Sequence, residues 1–523
     1  MTAAVVATAQ GKLRGVAERG LRAWRGIPYA APPAGQLRFR PPQPPAPWDG
    51  VRVAAERGPV AWQSAAVSPL TGKPVTQDRS EDCLYLNVTA PADPPPGPGG
   101  YPVLVWIHGG GYVQGTGSGE PVGDGAALAR LGLVVVTFNY RLGALGFLQL
   151  AGDGLADSGV AGFLDQVTAL RWVRANIAGF GGDPDRVTVY GISAGAKSVA
   201  NLLASPLTPG LITRAISGSG GAEHVASPDQ AARLRRRFLR VLGLSDDEAG
   251  VRLLLTASAA DLVAAQEEIA SGAAGTWVWR PALGGTGIPV LPIDAITSGA
   301  GAGIPLLIGN NGSEGATYQL IDVSAAGQAP RVLAEKFGTA VAADMLAAYA
   351  SARRELDDTG IGLAVLGDER YAIPTERLAL AQAAHAPVWR YRFDLCPPGV
   401  PAELAGGHGL DMLAVWAADG YRDAGPDAMA GGDAAARACV AMAGSLARFA
   451  RGDSPGQADP ADGAEGADVA GVLPPWPSFT AADRSTMIIN TQPGAERHPR
   501  RAEFEIWAGR TWQSGTWWQL SDL

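Results

Sequence analysis

A glycine-bounded stretch in the first half of the chain joins a predicted strand to a predicted helix with almost no room for a turn. Val187, Val189 and Tyr190 are typical of a buried strand, and Gly-Ile-Ser-Ala-Gly follows at once at residues 191–195. Small residues then continue into a predicted helix. In so tight a turn, a side chain at either glycine would collide with the neighbouring strand or helix. We therefore expect this segment, the serine turn, to hold the Ser193 hydroxyl clear of the backbone at the positive end of the helix.

The serine turn alone is weak evidence for a catalytic serine, because the chain has 70 glycines and such a pattern arises by chance. The plain alternative is a glycine turn with no chemical role. A strand directly before the turn and a helix directly after it favour the functional interpretation, in which Ser193 is a nucleophile.

Apolar runs elsewhere predict strands that alternate with helices. The strands are predicted at residues 102–107, 133–138, 214–220, 304–309, 388–393 and 487–489. The helices are predicted at residues 164–177, from a capping box at Ser227 onward, and across residues 330–385. This order predicts an α/β fold, with a parallel or mostly parallel sheet and helices on both faces.

Two further segments are less regular. Residues 80–88 alternate apolar and polar side chains in their later part, which predicts a half-exposed strand. Residues 11–50 contain so many prolines that we expect an ordered surface segment there, with no central strand or helix.

The composition restricts the partners and the compartment of the chain. Across 523 residues the net charge is −8, and no basic run is long enough to suggest a nucleic-acid surface. The arginines between residues 233 and 240 suit an anionic partner or a solvated helix face, and we expect the solvated face. No apolar stretch reaches the ~20 residues of a membrane span, and no basic residue precedes the short apolar run at the amino terminus, as it would in a signal peptide. The spacing of the three cysteines fits neither a disulfide framework nor a metal site, so we expect a soluble cytoplasmic protein.

Taken together, these segments resemble the type-B carboxylesterase family, within the α/β-hydrolase fold. The resemblance is carried by residues 26–30 (Gly-Ile-Pro-Tyr-Ala), 80–87 (Ser-Glu-Asp-Cys-Leu-Tyr-Leu-Asn), 139–143 (Asn-Tyr-Arg-Leu-Gly), 180–184 (Phe-Gly-Gly-Asp-Pro) and the serine turn. It implies one catalytic domain over residues 1–523 with a large, mainly parallel sheet. It also implies hydrolysis of a small-molecule ester, with no metal and no organic cofactor.

The chain departs from the family's usual pattern at three places. Ile192 precedes the serine where the family usually has glutamate. Ala61 stands where the family usually has the cysteine that pairs with Cys83, so we expect Cys83 to be a free thiol. Gly284-Gly285 replaces the usual Asp-Gly. None of these changes removes a reacting group.

A serine hydroxyl is a poor nucleophile at neutral pH and needs a base beside it. The chain has five histidines. His108 precedes the glycine run on the wrong strand, and His224 follows a loop without supporting context. His385 lies in a predicted Ala-rich helix, and His498 lies in a polar tail. His408 lies between glycines after a predicted strand, in the expected loop, and by resemblance it is the family's base.

The base in turn needs an acid to orient it. The chain order of the fold is serine, acid, histidine. Glu314 lies between the other two, immediately after a predicted strand, in a Gly-x-x-x-x-Glu-Gly context that resembles the family's acid. Asp394 and Asp411 are its rivals.

An ester hydrolase also needs donors for the oxygen that becomes negative during the reaction. By resemblance these are the backbone amides of Gly110, Gly111 and Ala194. Ser219 matches a family serine near the catalytic residues and is expected to support them. Lys197 raises the question of a serine–lysine pair, but we expect its side chain to face away.

Other activities use the same groups. A carbamate, amide or thioester hydrolase is the main alternative, and a non-catalytic binding protein of this fold is another. The substrate and the oligomeric state are not predicted. Trp277, Trp279, Met412 and Trp416 suit either pocket walls or the core.

Overall fold

The computed structural model describes residues 5–64, 77–95, 97, 99–119, 122–270, 277–320, 322–418, 420, 433–456 and 473–512. The strands are β1 (Val5–Ala7), β2 (Lys12–Arg14), β3 (Val16–Glu18), β4 (Leu21–Pro28), β5 (Val51–Val53), β6 (Tyr85–Pro91), β7 (Tyr101–Ile107), β8 (Val134–Phe138), β9 (Gly182–Ile192), β10 (Arg214–Gly218), β11 (Leu306–Asn311), β12 (Val388–Phe393), β13 (Ser485–Ile489) and β14 (Gly494–Arg497).

The α-helices are α1 (Ala126–Ala129), α2 (Gly143–Phe147), α3 (Ala161–Asn176), α4 (Ala194–Ala204), α5 (Pro228–Val241), α6 (Glu248–Thr256), α7 (Ala259–Ile269), α8 (Pro292–Thr297), α9 (Ala329–Phe337), α10 (Thr339–Ala352), α11 (Asp358–Gly367), α12 (Ile373–Ala383), α13 (Leu410–Trp416), α14 (Asp433–Arg451) and α15 (Arg501–Trp507). A π-helical turn at Asp368–Ala372 joins α11 to α12. Short 3₁₀ turns lie at Gly35–Leu37, Ser158–Val160, Ile177–Phe180, Ala316–Leu320, Ala325–Gln328 and Ala402–Leu404.

A large sheet of 11 strands, in the order β14-β13-β12-β11-β10-β9-β7-β8-β6-β4-β3, forms the frame of the molecule. From β8 through β7, β9, β10, β11 and β12 to β13, each strand runs parallel to its neighbour. The antiparallel strands β14, β6, β4 and β3 lie toward the two edges. The mostly parallel sheet predicted from the alternation of strands and helices is confirmed.

Both faces of this sheet are buried. Successive residues of a strand point to opposite faces, so the burial of neighbouring residues reports on both faces. In β7, Val103 and Val105 belong to one core cluster, while Leu104 and Trp106 belong to a second. The first cluster includes residues of α3 and α4, and the second includes residues of α13 and α14. Helices therefore cover the sheet on both sides, as the sequence predicts.

Two expectations about the first strands are wrong. Strand β6 is not half-exposed, since its residues from Leu86 to Ala90 are all buried. Its polar side chains are hydrogen-bonded within the fold, since Asn87 donates to the Thr137 hydroxyl and Thr89 donates to the Asp124 carbonyl. The segment 11–50 also contains the eight-residue strand β4, the second strand from one edge. Of the prolines that argued against a strand, Pro28 is its last residue and the others lie after it.

Helix α5 begins as its capping box predicts, because the Ser227 side chain accepts from the Gln230 amide and the Gln230 side chain accepts from the Ser227 amide. Three of its arginines are exposed and two are half-buried, and Arg233 pairs with Asp229 at 3.0 Å. Among the described residues, no helix is long and apolar enough to cross a membrane.

Candidate active site

The serine turn stands at the carboxyl end of β9, where the backbone is strained. Ser193 has φ 56° and ψ −120°, a region that non-glycine residues rarely adopt. Its amide donates to the carbonyl of Gly218 at 2.9 Å. A Cβ at Gly191 would lie 2.3 Å from the carbonyl oxygen of Gly195, and one at Gly195 would lie 2.0 Å from that of Ile107. Both glycines are therefore required by contact with the helix and with the neighbouring strand, as the sequence predicts.

Three side chains from distant parts of the sequence form a hydrogen-bonded row at this edge of the sheet. His408 Nδ1 lies 2.6 Å from Glu314 Oε2, and His408 Nε2 lies 2.9 Å from Ser193 Oγ. An ionised carboxylate only accepts hydrogen bonds, so Nδ1 carries the proton of the neutral ring. Nε2 is then free to accept the hydrogen bond of the Ser193 hydroxyl.

The second oxygen of Glu314 is held by two more donors. Oε1 accepts from the Ser219 hydroxyl at 2.5 Å and from the Asn311 amide at 2.7 Å. The Asn311 side chain also donates to Ser219 Oγ at 3.2 Å. With only 2% of its side chain exposed, Glu314 is fixed in one orientation. Sequence reasoning missed Asn311, although its place two residues after a predicted strand was an available signal.

The two rival carboxylates lie elsewhere. Asp394 is partly exposed and pairs with Arg392. Asp411 is buried, accepts from the Tyr391 hydroxyl at 2.7 Å and from the Asn311 side chain at 3.1 Å, and has its pKa raised by that burial. In the described part of the chain, no hydrogen bond joins either of them to the His408 ring.

Two tyrosines cover the His408 ring. Tyr371 stacks on it with 4.3 Å between ring centroids and 27° between planes, and Tyr318 lies at 5.9 Å. The two hydroxyls hydrogen-bond to each other. Tyr371 is supplied by the π-helical turn at Asp368–Ala372, and such turns are frequent at functional sites. No sequence pattern pointed to either tyrosine.

A glycine run beside the serine turn supplies unpaired backbone amides. A Cβ at Gly109 would lie 3.2 Å from the Cβ of Ser193, so the run packs against this serine. Gly110 and Gly111 have φ 106° and 63°, and Ala194 opens α4. Within the described ranges, the amides of these last three residues donate no hydrogen bond to another group of the chain.

The other histidines do not reach Ser193. His108 is buried, lies 2.8 Å from the Gly109 carbonyl through Nδ1 and stacks on Tyr140; its burial lowers its pKa to about 4. His224 is also buried and packs edge-on against Trp277 at 4.7 Å.

The expectation that Lys197 faces away is wrong. Only 2% of this residue is exposed. It follows Ser193 by four residues on α4, and its ammonium lies 3.4 Å from the Ser219 carbonyl oxygen. Burial lowers its pKa to about 7. Residues four apart lie on one face of a helix, so the spacing itself was the signal.

The four residues that suited either pocket walls or the core all belong to core clusters, except that Met412 is partly buried and packs against the second cluster. Trp279 packs against Phe238 in the main core, and Trp416 packs against Trp106 in the second cluster. Trp277 lies nearer the site, against Tyr371 at 5.8 Å.

Two of the departures from the family pattern involve buried residues. The Ile192 side chain belongs to the second core cluster, where an unpaired carboxylate would be costly. Cys83 is a buried free thiol, as expected from Ala61.

Comparison with known proteins decides the family. A model of the carboxylesterase family matches residues 2–507. The chain belongs to the carboxylesterase family. It is therefore a carboxylic ester hydrolase with the α/β-hydrolase fold, as the sequence resemblance implies.

Individual carboxylesterases are similar over most of the chain. The para-nitrobenzyl esterase of Bacillus subtilis (strain 168) is 40% identical over 418 residues, which are 79% of this chain and 82% of that protein. The fumonisin B1 esterase of Sphingopyxis macrogoltabida is 38% identical over 401 residues, 75% of this chain and 71% of that protein. A solved structure of a PNB esterase superposes with a TM-score of 0.80 at 34% identity, covering 97% of this chain and 100% of that one.

Proposed function

We propose that the chain is a serine carboxylesterase in which Ser193, His408 and Glu314 form the catalytic triad. The observation that carries this proposal is the continuous row of hydrogen bonds from Ser193 through His408 to Glu314, at 2.9 and 2.6 Å. Nucleophile, base and orienting acid are each within hydrogen-bond reach of the next, which is what activation of a serine requires.

The first half of the reaction forms an acyl-enzyme. Ser193 Oγ attacks the carbonyl carbon of the ester, and His408 Nε2 takes its proton. The resulting imidazolium is stabilised by the Glu314 carboxylate on its other side. When the carbonyl re-forms, the carbon–oxygen bond to the alcohol breaks, and His408 gives its proton to the leaving oxygen.

The negative oxygen of the intermediate is proposed to bind the amides of Gly110, Gly111 and Ala194. These amides have no partner among the described residues, and the glycine run packs against Ser193. Each such donor is worth about 10²–10³ in rate.

The second half releases the acid. Water replaces the alcohol, and His408 Nε2 takes a proton from it as it attacks the acyl carbon. The carbon–oxygen bond to Ser193 then breaks, and His408 returns the proton to Ser193 Oγ. Ser219 and Asn311 keep Glu314 in place through both halves, by their hydrogen bonds to its second oxygen.

The test is a panel of nitrophenyl esters that vary acyl size and alcohol size separately, assayed with the purified chain and with Ser193→Ala. We expect the wild-type chain to hydrolyse some members and Ser193→Ala to lose at least ~10⁴-fold in kcat. A fully active Ser193→Ala variant contradicts the proposal. Nitroanilides and carbamates with the same acyl groups test whether amides or carbamates are better substrates.

The domain organisation and the location are also proposals. A single catalytic domain is supported by the large sheet, which takes strands from Val16–Glu18 to Gly494–Arg497. A cytoplasmic location is supported by the free thiols of Cys83, Cys396 and Cys439, which fit a reducing compartment.

A further inference from the structure

Lys197 is a buried cation next to the triad that the proposed mechanism does not use. Its backbone amide donates to the Ser193 carbonyl at 3.0 Å, so the two side chains leave adjacent turns of α4 on the same face. Its ammonium lies 3.4 Å from the Ser219 carbonyl oxygen and 3.3 Å from that of Gly220.

The same ammonium lies over two aromatic rings. Its Nζ is 4.7 Å from the centroid of Trp277 and 4.7 Å from that of Tyr371, both within the range of a cation–π contact. Tyr371 in turn stacks on His408 at 4.3 Å between centroids. Nζ therefore lies within about 9 Å of the His408 ring centre, with the Tyr371 ring in contact with both.

The charged groups that face Lys197 come from several elements. The carboxylates are Glu314, after β11, and Glu369, on the π-helical turn; the cations are Arg280 and Arg370. Among the described residues, no ion pair or hydrogen bond joins Lys197 to a carboxylate. A buried ammonium without such a partner is costly to keep. Its contacts are with the backbone that carries Ser219 and with the ring that covers His408.

The Ser219 carbonyl belongs to a strained residue that the triad needs. Ser219 has φ 56°, and its hydroxyl donates to Glu314 at 2.5 Å. A hydrogen bond from Lys197 to the carbonyl of this residue opposes rotation of the peptide that would withdraw the hydroxyl.

We propose that Lys197 is a positioning residue for the triad, holding Glu314 through the Ser219–Gly220 backbone and His408 through the Tyr371 ring. This inference rests on the proposed function. Lys197 does not replace His408 as the base, because Ser193 Oγ is hydrogen-bonded to His408. The ammonium also places a positive charge near the imidazole, which disfavours a second positive charge there.

The test compares Lys197→Met, which keeps the length of the side chain without the charge, with Lys197→Arg, which keeps the charge. Lys336→Met is the matched control, since it removes another buried lysine that pairs with Glu369 at 3.4 Å. For each variant we would measure kcat and KM on one nitrophenyl ester from pH 5 to 8, the melting temperature, and the rate at which a fluorophosphonate modifies Ser193.

We expect Lys197→Met to lose about 10–100-fold in kcat with KM within about threefold, because small displacements of a triad have effects of this size. The midpoint of its acid limb should rise by about 0.3–1 pH unit, since a nearby positive charge is gone. Lys197→Arg should keep the midpoint of the acid limb at the wild-type value. Lys336→Met should lower the melting temperature but leave the midpoint of the acid limb unchanged.

The inference is overturned if Lys197→Met folds and has the kcat and the pH profile of wild type. It is also overturned if kcat falls but the midpoint of the acid limb stays at the wild-type value, as expected for Lys336→Met. If Lys197→Met does not fold, Lys197→Gln, which is neutral but can still donate to the two carbonyls, takes its place with the same expected shift. Ser193→Ala separates failure of this inference from failure of the proposed function. If the proposed function is wrong, Ser193→Ala is as active as wild type, whatever the result for Lys197→Met.

Discussion

A Cβ placed on Gly195 would lie 2.0 Å from the carbonyl oxygen of Ile107. The helix that begins directly after Ser193 and the strand that ends at Ile107 are thus in direct backbone contact. We predict that Gly195→Ala destabilises the protein by at least about 2 kcal/mol and lowers kcat by about 100-fold, because the backbone must move to admit the methyl group. Urea unfolding and ester hydrolysis measure the two effects.

The matched control is Gly327→Ala. A Cβ there would meet no atom within 4 Å, and the backbone is not in the left-handed region. Unfolding free energy and kcat should both stay near wild type. Equal losses in the two variants would show that the effect of Gly195→Ala is not due to the serine turn.

The acid of the triad is tested by exchanging each candidate carboxylate for its amide. Glu314→Gln should lower kcat by about 10⁴, because the tautomer and orientation of His408 are lost. Asp394→Asn should stay within about twofold of wild type, since Asp394 only pairs with Arg392 near the surface. Steady-state kinetics on one ester compare the three proteins.

Asp411 gives an intermediate case. It is buried and accepts from Tyr391 and Asn311, so Asp411→Asn should lose about 1–3 kcal/mol of stability while keeping far more activity than Glu314→Gln. Near-normal kcat in Glu314→Gln together with collapse in Asp394→Asn or Asp411→Asn contradicts the assignment of the acid.

His108 makes the stability depend on pH. Burial lowers its pKa to about 4, so between pH 6.5 and 4 the unfolded chain binds a proton there that the folded chain does not. Through His108, the free energy of unfolding therefore falls by about 2 kcal/mol between pH 7 and pH 5. His108→Gln should lose correspondingly less stability over this window. Urea unfolding of both proteins at pH 7 and pH 5 measures this. An equal change in unfolding free energy in the two proteins would contradict the prediction.

The three cysteines should react differently as free thiols. Cys83 and Cys439 are buried, and burial raises the pKa of the Cys439 thiol to about 12 and that of Cys83 further. Only Cys396, which is half-buried, should react with a thiol reagent in the native protein. Reducing agents should leave the melting temperature unchanged. A native disulfide at Cys83, found by non-reducing mass spectrometry, contradicts this prediction and the reducing compartment.

Much of the frame was predictable because it depends on local signals. Continuous apolar runs such as 102–107 predict buried parallel strands, and the glycines at 191 and 195 predict a tight turn between a strand and a helix. Candidate site residues were placed at strand ends, and the structure brings Ser193, Glu314 and His408 together there. Their catalytic roles remain proposals.

The features that were not predicted from the sequence depend on contacts between distant segments. The alternation of strand β6 predicts half exposure, but its side chains are buried and the polar ones bond to distant groups, such as the Asp124 carbonyl that accepts from Thr89. Tyr371 reaches His408 only because a π-helical turn presents it, and nothing local specifies that contact. Lys197 was misjudged because a lysine is rarely buried, although its spacing from Ser193 placed it on the same helix face.

The most direct test of the central claim is covalent. An organophosphate should add to the Ser193 oxygen, since Ser193 is the described residue whose hydroxyl is hydrogen-bonded to His408. Peptide mass mapping of the inactivated protein should find one adduct per chain, on the peptide that contains Ser193, with activity falling in proportion to labelling. An adduct on another residue, or full labelling of Ser193 with activity retained, contradicts the account.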